Sequence, residues 1–168
     1  MADNLRPSNS LNVSIRTIRE SDSQAILAWR NNPDVRKWSR HQEVITEAEH
    51  EKWLGGWLEP NHQQGYFFIV ESPQFQMGMV RFDSKLVNEF EISIVIGPKY
   101  QKRGVARTAI ALSLHEISLK EPSFNVLATI HANNLLSISL FITMGYVQTV
   151  FGEEFLHFRR EYTLQDFK

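Results

Sequence analysis

Cysteine is absent from all 168 residues, which excludes disulfides, thiolate metal ligands and covalent catalysis through a cysteine. A long hydrophobic run is also missing, because no stretch approaches the roughly 20 apolar residues that a membrane-spanning helix needs. Residues 1–12 are mostly polar and contain no apolar signal core. We therefore expect a cytoplasmic protein.

An excess of charge of one sign is lacking as well, since 18 Lys and Arg residues face 19 Asp and Glu residues. The net charge of -1 argues against a general polyanion binder, so we expect no nucleic-acid partner and no membrane partner. The 42% of apolar and 22% of charged residues are typical of a soluble globular protein. We expect a flexible tail over residues 1–12 and a single domain over residues 13–168.

The spacing of apolar residues predicts an alternation of strands and helices. Six strands are predicted, over residues 11–15, 66–70, 76–82, 90–96, 124–130 and 155–162. Four helices are predicted, over residues 21–29, 46–58, 104–121 and 135–144. This order predicts an α/β (α+β) domain of three layers, with helices packed on a central mixed sheet.

Local signals set several helix ends. Ser21 and Asp22 are candidate N-caps of the first helix, and Pro33 is expected to stop it because proline disfavours helical geometry in the preceding residue. Thr46 and Glu49 form a T-x-x-E capping box at the start of the second helix. The starts of both helices can therefore be predicted from side chains alone.

A basic segment with one glycine joins the fourth strand to the third helix. Its residues are Gln101, Lys102, Arg103, Gly104, Val105 and Ala106. Backbone N–H groups and the positive end of the helix can receive a phosphate here, and Gly104 would let the backbone approach it closely. The spacing matches neither the glycine motif of phosphate loops nor that of dinucleotide folds.

This segment resembles the acetyl-CoA motif of GNAT acetyltransferases, whose signature is Gln/Arg-x-x-Gly-x-Gly/Ala. Asn134, Gly145 and Tyr146 resemble the second signature of that family, an Asn before a helix that ends in Gly-Phe or Gly-Tyr. Both signatures occur in the family's order, and the resemblance extends over about residues 13–162. It implies an acetyl-CoA-dependent N-acetyltransferase that acts on a primary amine.

The resemblance also implies the cofactor contacts. These are Ile94, Val95, Ile96, Gln101, Lys102, Arg103, Gly104, Val105, Ala106, Asn134 and Phe141. The backbone of residues 94–96 would pair with the pantetheine arm, and residues 101–106 would hold the pyrophosphate. Asn134 would bond near the cofactor arm, although it also suits a plain helix cap.

One position departs from the family pattern. Many members carry a tyrosine where this chain has Phe141, and that hydroxyl is commonly assigned to protonate the departing CoA thiolate. A thiol has a pKa of roughly 8.5, so a thiolate can leave without forced protonation. The general acid is therefore unassigned.

Acetyl transfer needs a neutral amine, so a base must take the ammonium proton. Glu91 is one candidate if partial burial raises its pKa toward neutrality, and His131 is another because an imidazole titrates near pH 6.5. Both also have a structural interpretation, as a salt-bridged glutamate and a loop histidine. His115 and Glu116 do not continue into a zinc motif because position 119 is Leu119, so we expect no metal.

The N-terminal half resembles GNAT enzymes that acetylate nucleotide-linked amino sugars in pseudaminic-acid-type pathways. The residues implied to bind the acceptor are Arg30, Asn31, Trp38, His50 and Arg81. Arg30 and Arg81 could fork onto a diphosphate, and Trp38 or Trp53 could stack on a base or sugar. The structural alternatives to acceptor binding are that the arginines form surface salt bridges and that the tryptophans belong to the core.

Three functions remain open at this point. The leading hypothesis is an N-acetyltransferase for an amino-deoxy-sugar nucleotide, acting as a monomer or homodimer on a small-molecule amine acceptor. The second is a protein N-terminal acetyltransferase of the ribosomal-protein type, which shares the Trp-Arg helix end. The third is a catalytically silent acetyl-CoA-binding module, for which Phe141 is the main argument.

Overall fold

The computed structural model describes residues 12–167, so the expected flexible tail lies almost wholly outside the described residues, as does Leu11. The strands are β1 (Ser14–Thr17), β2 (Gly65–Glu71), β3 (Gln76–Leu86), β4 (Glu89–Ile96), β5 (Ser123–His131), β6 (Val147–Phe151) and β7 (Phe155–Thr163). The helices are α1 (Ser23–Asn31), α2 (Pro33–Arg36), α3 (Glu47–Leu58), α4 (Val105–Ser118) and α5 (Leu135–Thr143). No helix within the described residues is long and apolar enough to cross a membrane.

The strands form one sheet in the order β1-β2-β3-β4-β5-β7-β6. Only β4 and β5 pair in parallel, and the other neighbours pair antiparallel. The predicted α/β domain with a mixed sheet is confirmed. Two elements were not predicted, β6 and α2, and Pro33 does more than end α1 because it occupies the first turn of α2, which Asn32 caps.

Two apolar clusters hold the helices against opposite faces of the sheet. Beneath α4, the most deeply buried side chains include Val80, Phe82, Ile110, Ile117 and Phe124. Beneath α1 and α3, the cluster comprises Ile18, Ile26, Leu54, Trp57, Phe67, Ile69, Met79 and Val95. No described residue of β5 or β7 belongs to this second cluster, so the β5–β7 half of that face is not sealed by an apolar core.

The helix that closes the second cluster begins as the sequence predicts. The Glu49 N–H donates to Thr46 Oγ1 over 3.3 Å, and the Thr46 N–H donates to Glu49 Oε2 over 2.9 Å. This reciprocal pair satisfies two backbone donors that a helix end would otherwise leave open. The predicted capping box is confirmed, and it fixes the start of α3 over the sheet.

Asp22 has a different role from the predicted cap. It precedes α1 but makes no side-chain cap bond to that helix. Instead the fully buried carboxylate accepts from Arg16 Nη1 and Nη2 at 2.8 Å each, from the Arg19 N–H at 2.7 Å and from Gln76 Nε2 at 2.6 Å. Burial raises the pKa of Asp22, but the bonds from Arg16 and Arg19 outweigh burial and bring the pKa below its ordinary value.

We expect Asp22→Asn to lower the free energy of unfolding at pH 7 by about 3 kcal/mol, because it leaves the charge of Arg16 without its buried partner. The control is Asp34→Asn in the exposed pair with Lys37, where a loss below about 1 kcal/mol is expected. The depressed pKa of Asp22 means that its contribution is present above about pH 4 and fades as pH falls. Urea unfolding at pH 7 and pH 3 measures both effects, and equal losses in the two variants would contradict the assignment.

Candidate functional site

The parallel strands β4 and β5 separate part-way along their length. They pair only from Glu89 opposite Asn125 to Glu91 opposite Leu127, although β4 runs on to Ile96 and β5 to His131. Within the described residues, no strand therefore pairs with residues 92–96 on the β5 side. An extended ligand with amide groups of its own can pair with such a free edge.

The turn after β4 has an unusual backbone conformation. Lys102 has φ 59° and Gly104 has φ 77°, both in the left-handed region. Around Gly104 no atom lies within 4 Å of the position that a Cβ would occupy. No side chain caps α4, which begins at the next residue, so its first N–H groups are available to an anion.

The other residues of the 101–106 segment either shape the turn or present positive charge to solvent. Gln101 Nε2 donates to the Ile96 carbonyl over 2.8 Å and so shapes the turn itself. Val105 is buried under the loop, whereas the cations Lys102 and Arg103 are exposed. The segment can therefore hold an anion by backbone geometry and surround it with positive charge.

Helix α5 lies beyond the end of β5. Asn134 Oδ1 accepts from the Ser137 N–H over 3.2 Å, so the predicted cap is confirmed, while no contact here tests a cofactor role. Phe141 is only 3% exposed, and its ring meets Tyr146 edge-on at 4.9 Å between centroids. The ring thus belongs to the core, and no general acid is assigned at this position.

Glu91 lies at the point where β4 and β5 separate, and it is 8% exposed. Its Oε1 accepts from Thr129 Oγ1 over 2.8 Å and from Arg40, and its Oε2 lies 2.8 Å from Lys85 Nζ. Burial raises the pKa of Glu91, but Lys85, Thr129 and Arg40 outweigh burial and hold the pKa below its ordinary value. The expectation of a pKa raised toward neutrality is wrong.

His131 ends β5 within an aromatic group. Its ring centroid lies 5.5 Å from that of Trp38 and 5.4 Å from that of Phe155, so the structure brings His131 and Trp38 together. The backbone N–H of Asn133 donates to His131 Nδ1 over 3.1 Å. This bond occupies the unprotonated nitrogen of the neutral ring, which leaves His131 poorly placed to act as a base in this arrangement.

Arg30 and Arg81 share the ring of Trp53, with their guanidinium carbons 4.1 and 5.1 Å from its centroid. Asp83 accepts two bonds from Arg81, at 3.1 and 2.9 Å, while Arg30 Nη1 is buried with no hydrogen-bond partner among the described residues. Burial lowers the pKa of Arg30 to about 10, with Arg81 adding to the effect and Asp83 opposing it. Arg30, Trp53 and Arg81 thus form a cationic corner with one carboxylate, and Trp53 is not free to stack on a base.

Two predicted acceptor contacts have structural roles instead. His50 is 1% exposed, and its Nε2 lies 2.9 Å from the Ser23 carbonyl, where it links α3 to α1. Both amide atoms of Asn31 bond the backbone of Ile45, at 2.8 Å each, and close the segment between them. His50 is thus enclosed between two helices, and the amide of Asn31 already has backbone partners.

Three side chains around Glu91 were not predicted. Thr129 could have been found, because alternation along β5 puts it on the same face as Leu127 and His131, opposite the apolar core positions. Lys85 lies near the end of β3, where no sequence pattern distinguishes it. Arg40 is 51 residues from Glu91 in sequence, so no local spacing could indicate their contact.

A family model described as an acetyltransferase (GNAT) domain matches residues 12–147, which is most of the chain. The chain belongs to the GNAT acetyltransferase family. It is therefore an acetyltransferase, and the hypothesis of a catalytically silent module gains no support. No curated protein matches the sequence.

Solved structures share the GNAT fold at low identity. Spermidine N-acetyltransferase from Vibrio cholerae, in complex with CoA and spermine, is 20% identical with a TM-score of 0.74, over 89% of this chain and 94% of that one. Ribosomal-protein-alanine N-acetyltransferase from Brucella melitensis is 19% identical with a TM-score of 0.71, over 90% and 99%. The yncA structure from Salmonella typhimurium, with its cofactor acetyl-CoA, is 18% identical with a TM-score of 0.69, over 91% and 94%.

We expect Gly104→Glu to raise the Kd of this GNAT domain for acetyl-CoA about a hundredfold. A carboxylate would occupy the open side of the turn and repel a phosphate. The matched control is Gly55→Glu in α3, which also has nothing within 4 Å of its Cβ position but has no positive φ. Isothermal calorimetry on both folded variants measures the difference. Unchanged affinity in Gly104→Glu would show that the anion lies elsewhere.

Proposed function

We propose that this acetyltransferase transfers the acetyl group of acetyl-CoA to the primary amine of a small molecule that also carries an anionic group. The acceptor that fits best is a nucleotide-activated amino-deoxy-sugar. The observation that carries this proposal is the cationic corner of Arg30, Trp53 and Arg81, in which a buried guanidinium N–H lacks an acceptor. The proposed site uses residues of one chain, and a monomer or homodimer stays a prediction.

The free edge of β4 and the turn of residues 101–104 support acetyl-CoA as the acetyl donor. An extended pantetheine arm offers amides for the backbone of residues 92–96, and its pyrophosphate suits the left-handed turn and the start of α4. When bound, acetyl-CoA supplies a thioester whose carbonyl carbon is the electrophile. Lys102 and Arg103 would add positive charge beside the phosphates.

An anion on the acceptor follows from the charges of the corner. Two guanidiniums face one carboxylate, Asp83, and Arg30 Nη1 is desolvated without a partner. A desolvated donor without an acceptor costs about 1–3 kcal/mol, which a phosphate oxygen at that place would recover. Arginine also suits a diphosphate because its planar fork donates two parallel bonds.

The corner and the carboxylate at the strand gap share one face of the sheet. Arg81 pairs with Ser93, and Glu91 lies two residues before Ser93 on the same face. Such diagonal neighbours have Cα atoms about 7–8 Å apart. A molecule with an amine near Glu91 and phosphates near Arg81 must therefore join the two groups over a short span, as a sugar nucleotide does.

A polycationic acceptor fits this face poorly. The Vibrio cholerae relative is a spermidine N-acetyltransferase, but here Glu91 already contacts Arg40 and Lys85. Several positive charges next to further ammonium groups would oppose binding. No contact of the described residues favours a protein N-terminus over a small molecule.

In the proposed chemistry, Glu91 removes the proton from the acceptor ammonium. Lys85, Thr129 and Arg40 hold its pKa low, so the carboxylate is a weaker base than the sequence analysis required, but it is charged at neutral pH and can attract the ammonium. One N–H bond breaks and one O–H bond forms on Glu91, which leaves a lone pair on the amine. Arg40, which is 55% exposed as a side chain, can move aside to admit the ammonium.

We expect the nucleotide-linked amino sugar to have a higher kcat/KM than the free amino sugar, because only the former engages Arg30. Arg30→Lys should raise the KM of the nucleotide-linked acceptor about tenfold and leave the KM of acetyl-CoA unchanged. Arg19→Lys, an exposed change after β1, is the matched control. CoA release measured with both sugars, spermidine and a peptide tests this prediction. Equal kcat/KM values for the two sugars would contradict the proposed nucleotide pocket.

We expect the acid limb of kcat/KM to lie below the ordinary carboxyl range near pH 4.3, because Glu91 must be ionised to act and its pKa is lowered. Lys85→Gln removes a charge that favours the ionised form, so the limb should move to higher pH. The control is Lys52→Gln, which removes the same charge at an exposed position of α3 and should leave the limb unchanged. An unmoved limb in Lys85→Gln would mean that protonation of Glu91 does not govern the rate.

A further inference from the structure

We propose that Arg40 is an internal competitor of the acceptor amine, because its guanidinium occupies the place on Glu91 that the ammonium must reach. The contact keeps the carboxylate occupied until an amine displaces it. This role depends on the proposed binding of the ammonium by Glu91 and adds to it a self-inhibiting contact. That contact sets how much amine the enzyme needs to reach half of its maximal rate.

Both carboxylate oxygens of Glu91 are already in use. Thr129 Oγ1 donates to Oε1 over 2.8 Å, and Arg40 Nη2 donates to the same oxygen. Lys85 Nζ lies 2.8 Å from Oε2. The side chain of Glu91 is buried, so few directions remain open to a further donor. An ammonium can therefore bind this carboxylate only when one of the three donors leaves.

Arg40 is the donor that can leave. Thr129 and Lys85 belong to β5 and β3, whose backbones are held by pairing within the sheet. Arg40 lies in irregular structure after α2, and its side chain is 55% exposed, against 43% for Lys85. An exposed side chain changes rotamer quickly, so Arg40 can turn away from the carboxylate without disturbing the sheet.

The segment that carries Arg40, residues 32–44, keeps its shape by its own bonds. Arg36 braces it by donating to the carbonyls of Asn31 and Gln42, over 3.1 and 2.8 Å. Among the described residues, the bond from Arg40 to the carboxylate is the only hydrogen bond that joins this segment to a strand of the sheet. Releasing Arg40 therefore breaks one ion pair and no backbone hydrogen bond.

The strength of this competition follows from the exposure of the pair. Arg40 and Glu91 join one exposed and one buried side chain, and a pair at the upper end of the range for exposed ion pairs changes an equilibrium about fivefold. The fraction of protein with a free Glu91 does not depend on the rest of the acceptor. Arg40 should therefore raise the KM of every amine by the same factor.

Kinetics of Arg40→Ala in the full chain test this competition, with two amines that the wild type acetylates, one of them without phosphate. We expect the KM of both amines to fall about fivefold, with kcat and the KM of acetyl-CoA unchanged. The matched control is Arg159→Ala, which removes an arginine of similar exposure from Glu89 on the same face and should leave both KM values unchanged. An unchanged KM in Arg40→Ala would overturn the proposal. A raised KM for a phosphate-bearing amine would also overturn it, because Arg40 would then bind the acceptor.

Free guanidinium ion provides a second test, because Arg40→Ala leaves room for the group that it removes. Guanidinium chloride at millimolar concentrations should raise the amine KM of Arg40→Ala back toward the wild-type value, in competition with the amine. It should have no such effect on the wild type or on Arg159→Ala, and sodium chloride at equal concentration should have none on any of the three. Equal inhibition of all three proteins by guanidinium would overturn the proposal.

A third measurement needs no turnover and separates this role from the proposed function. Calorimetry of amine binding to the CoA complex should show a lower Kd in Arg40→Ala than in the wild type. The same substitution in a Glu91→Gln background should give no such gain, because the guanidinium then has no carboxylate to occupy. An equal gain in both backgrounds would overturn the competition. If the wild type acetylates a peptide or polyamine instead of the sugar nucleotide, the proposed acceptor fails, yet all three tests still apply with that amine.

Discussion

The separation of two parallel strands after Glu91 and Leu127 is the constraint on which the site depends. Up to that pair, β4 forms backbone hydrogen bonds with β3 on one edge and with β5 on the other. Beyond it, β4 pairs with β3 alone. Backbone groups in a partly buried gap need partners, so the gap favours an occupant with amides of its own. Beyond the gap, β5 carries Thr129 and His131 on the face that the second apolar cluster does not cover. The end of pairing and the end of the apolar cover thus coincide at this part of the sheet.

Charge is distributed unevenly along that face. Asp22 is surrounded by donors that hold one buried carboxylate in place for the fold. Around Glu91 and Trp53 the balance reverses, because Arg30, Arg81 and Lys85 outnumber the carboxylates that they meet. The first arrangement is satisfied internally and is structural. The second leaves a donor without an acceptor, which is typical of a surface that binds a ligand.

Features that depend on neighbours in sequence could be predicted, and those that depend on chain topology could not. The capping box at Thr46 is local and has the expected form, and the basic segment of residues 101–104 lies between a strand and a helix as expected. The contact between Arg40 and Glu91 joins residues far apart in sequence. Helical spacing places His50 on the buried face of α3 with Leu54 and Trp57, but its contact with the Ser23 carbonyl depends on the position of α1. The lowered pKa of Glu91 likewise depends on partners from three different segments.

The bonds between Asn31 and Ile45 close the segment between them, which contains α2, into a loop. Trp38 and Arg40 lie within this loop, and both reach residues at the strand gap. Doubling the length of a flexible loop costs only about 0.6 kcal/mol in closure entropy. A change in the length of this segment therefore costs little free energy, and it can alter the surroundings of Glu91 and His131 while the sheet and the turn of residues 101–104 keep their form.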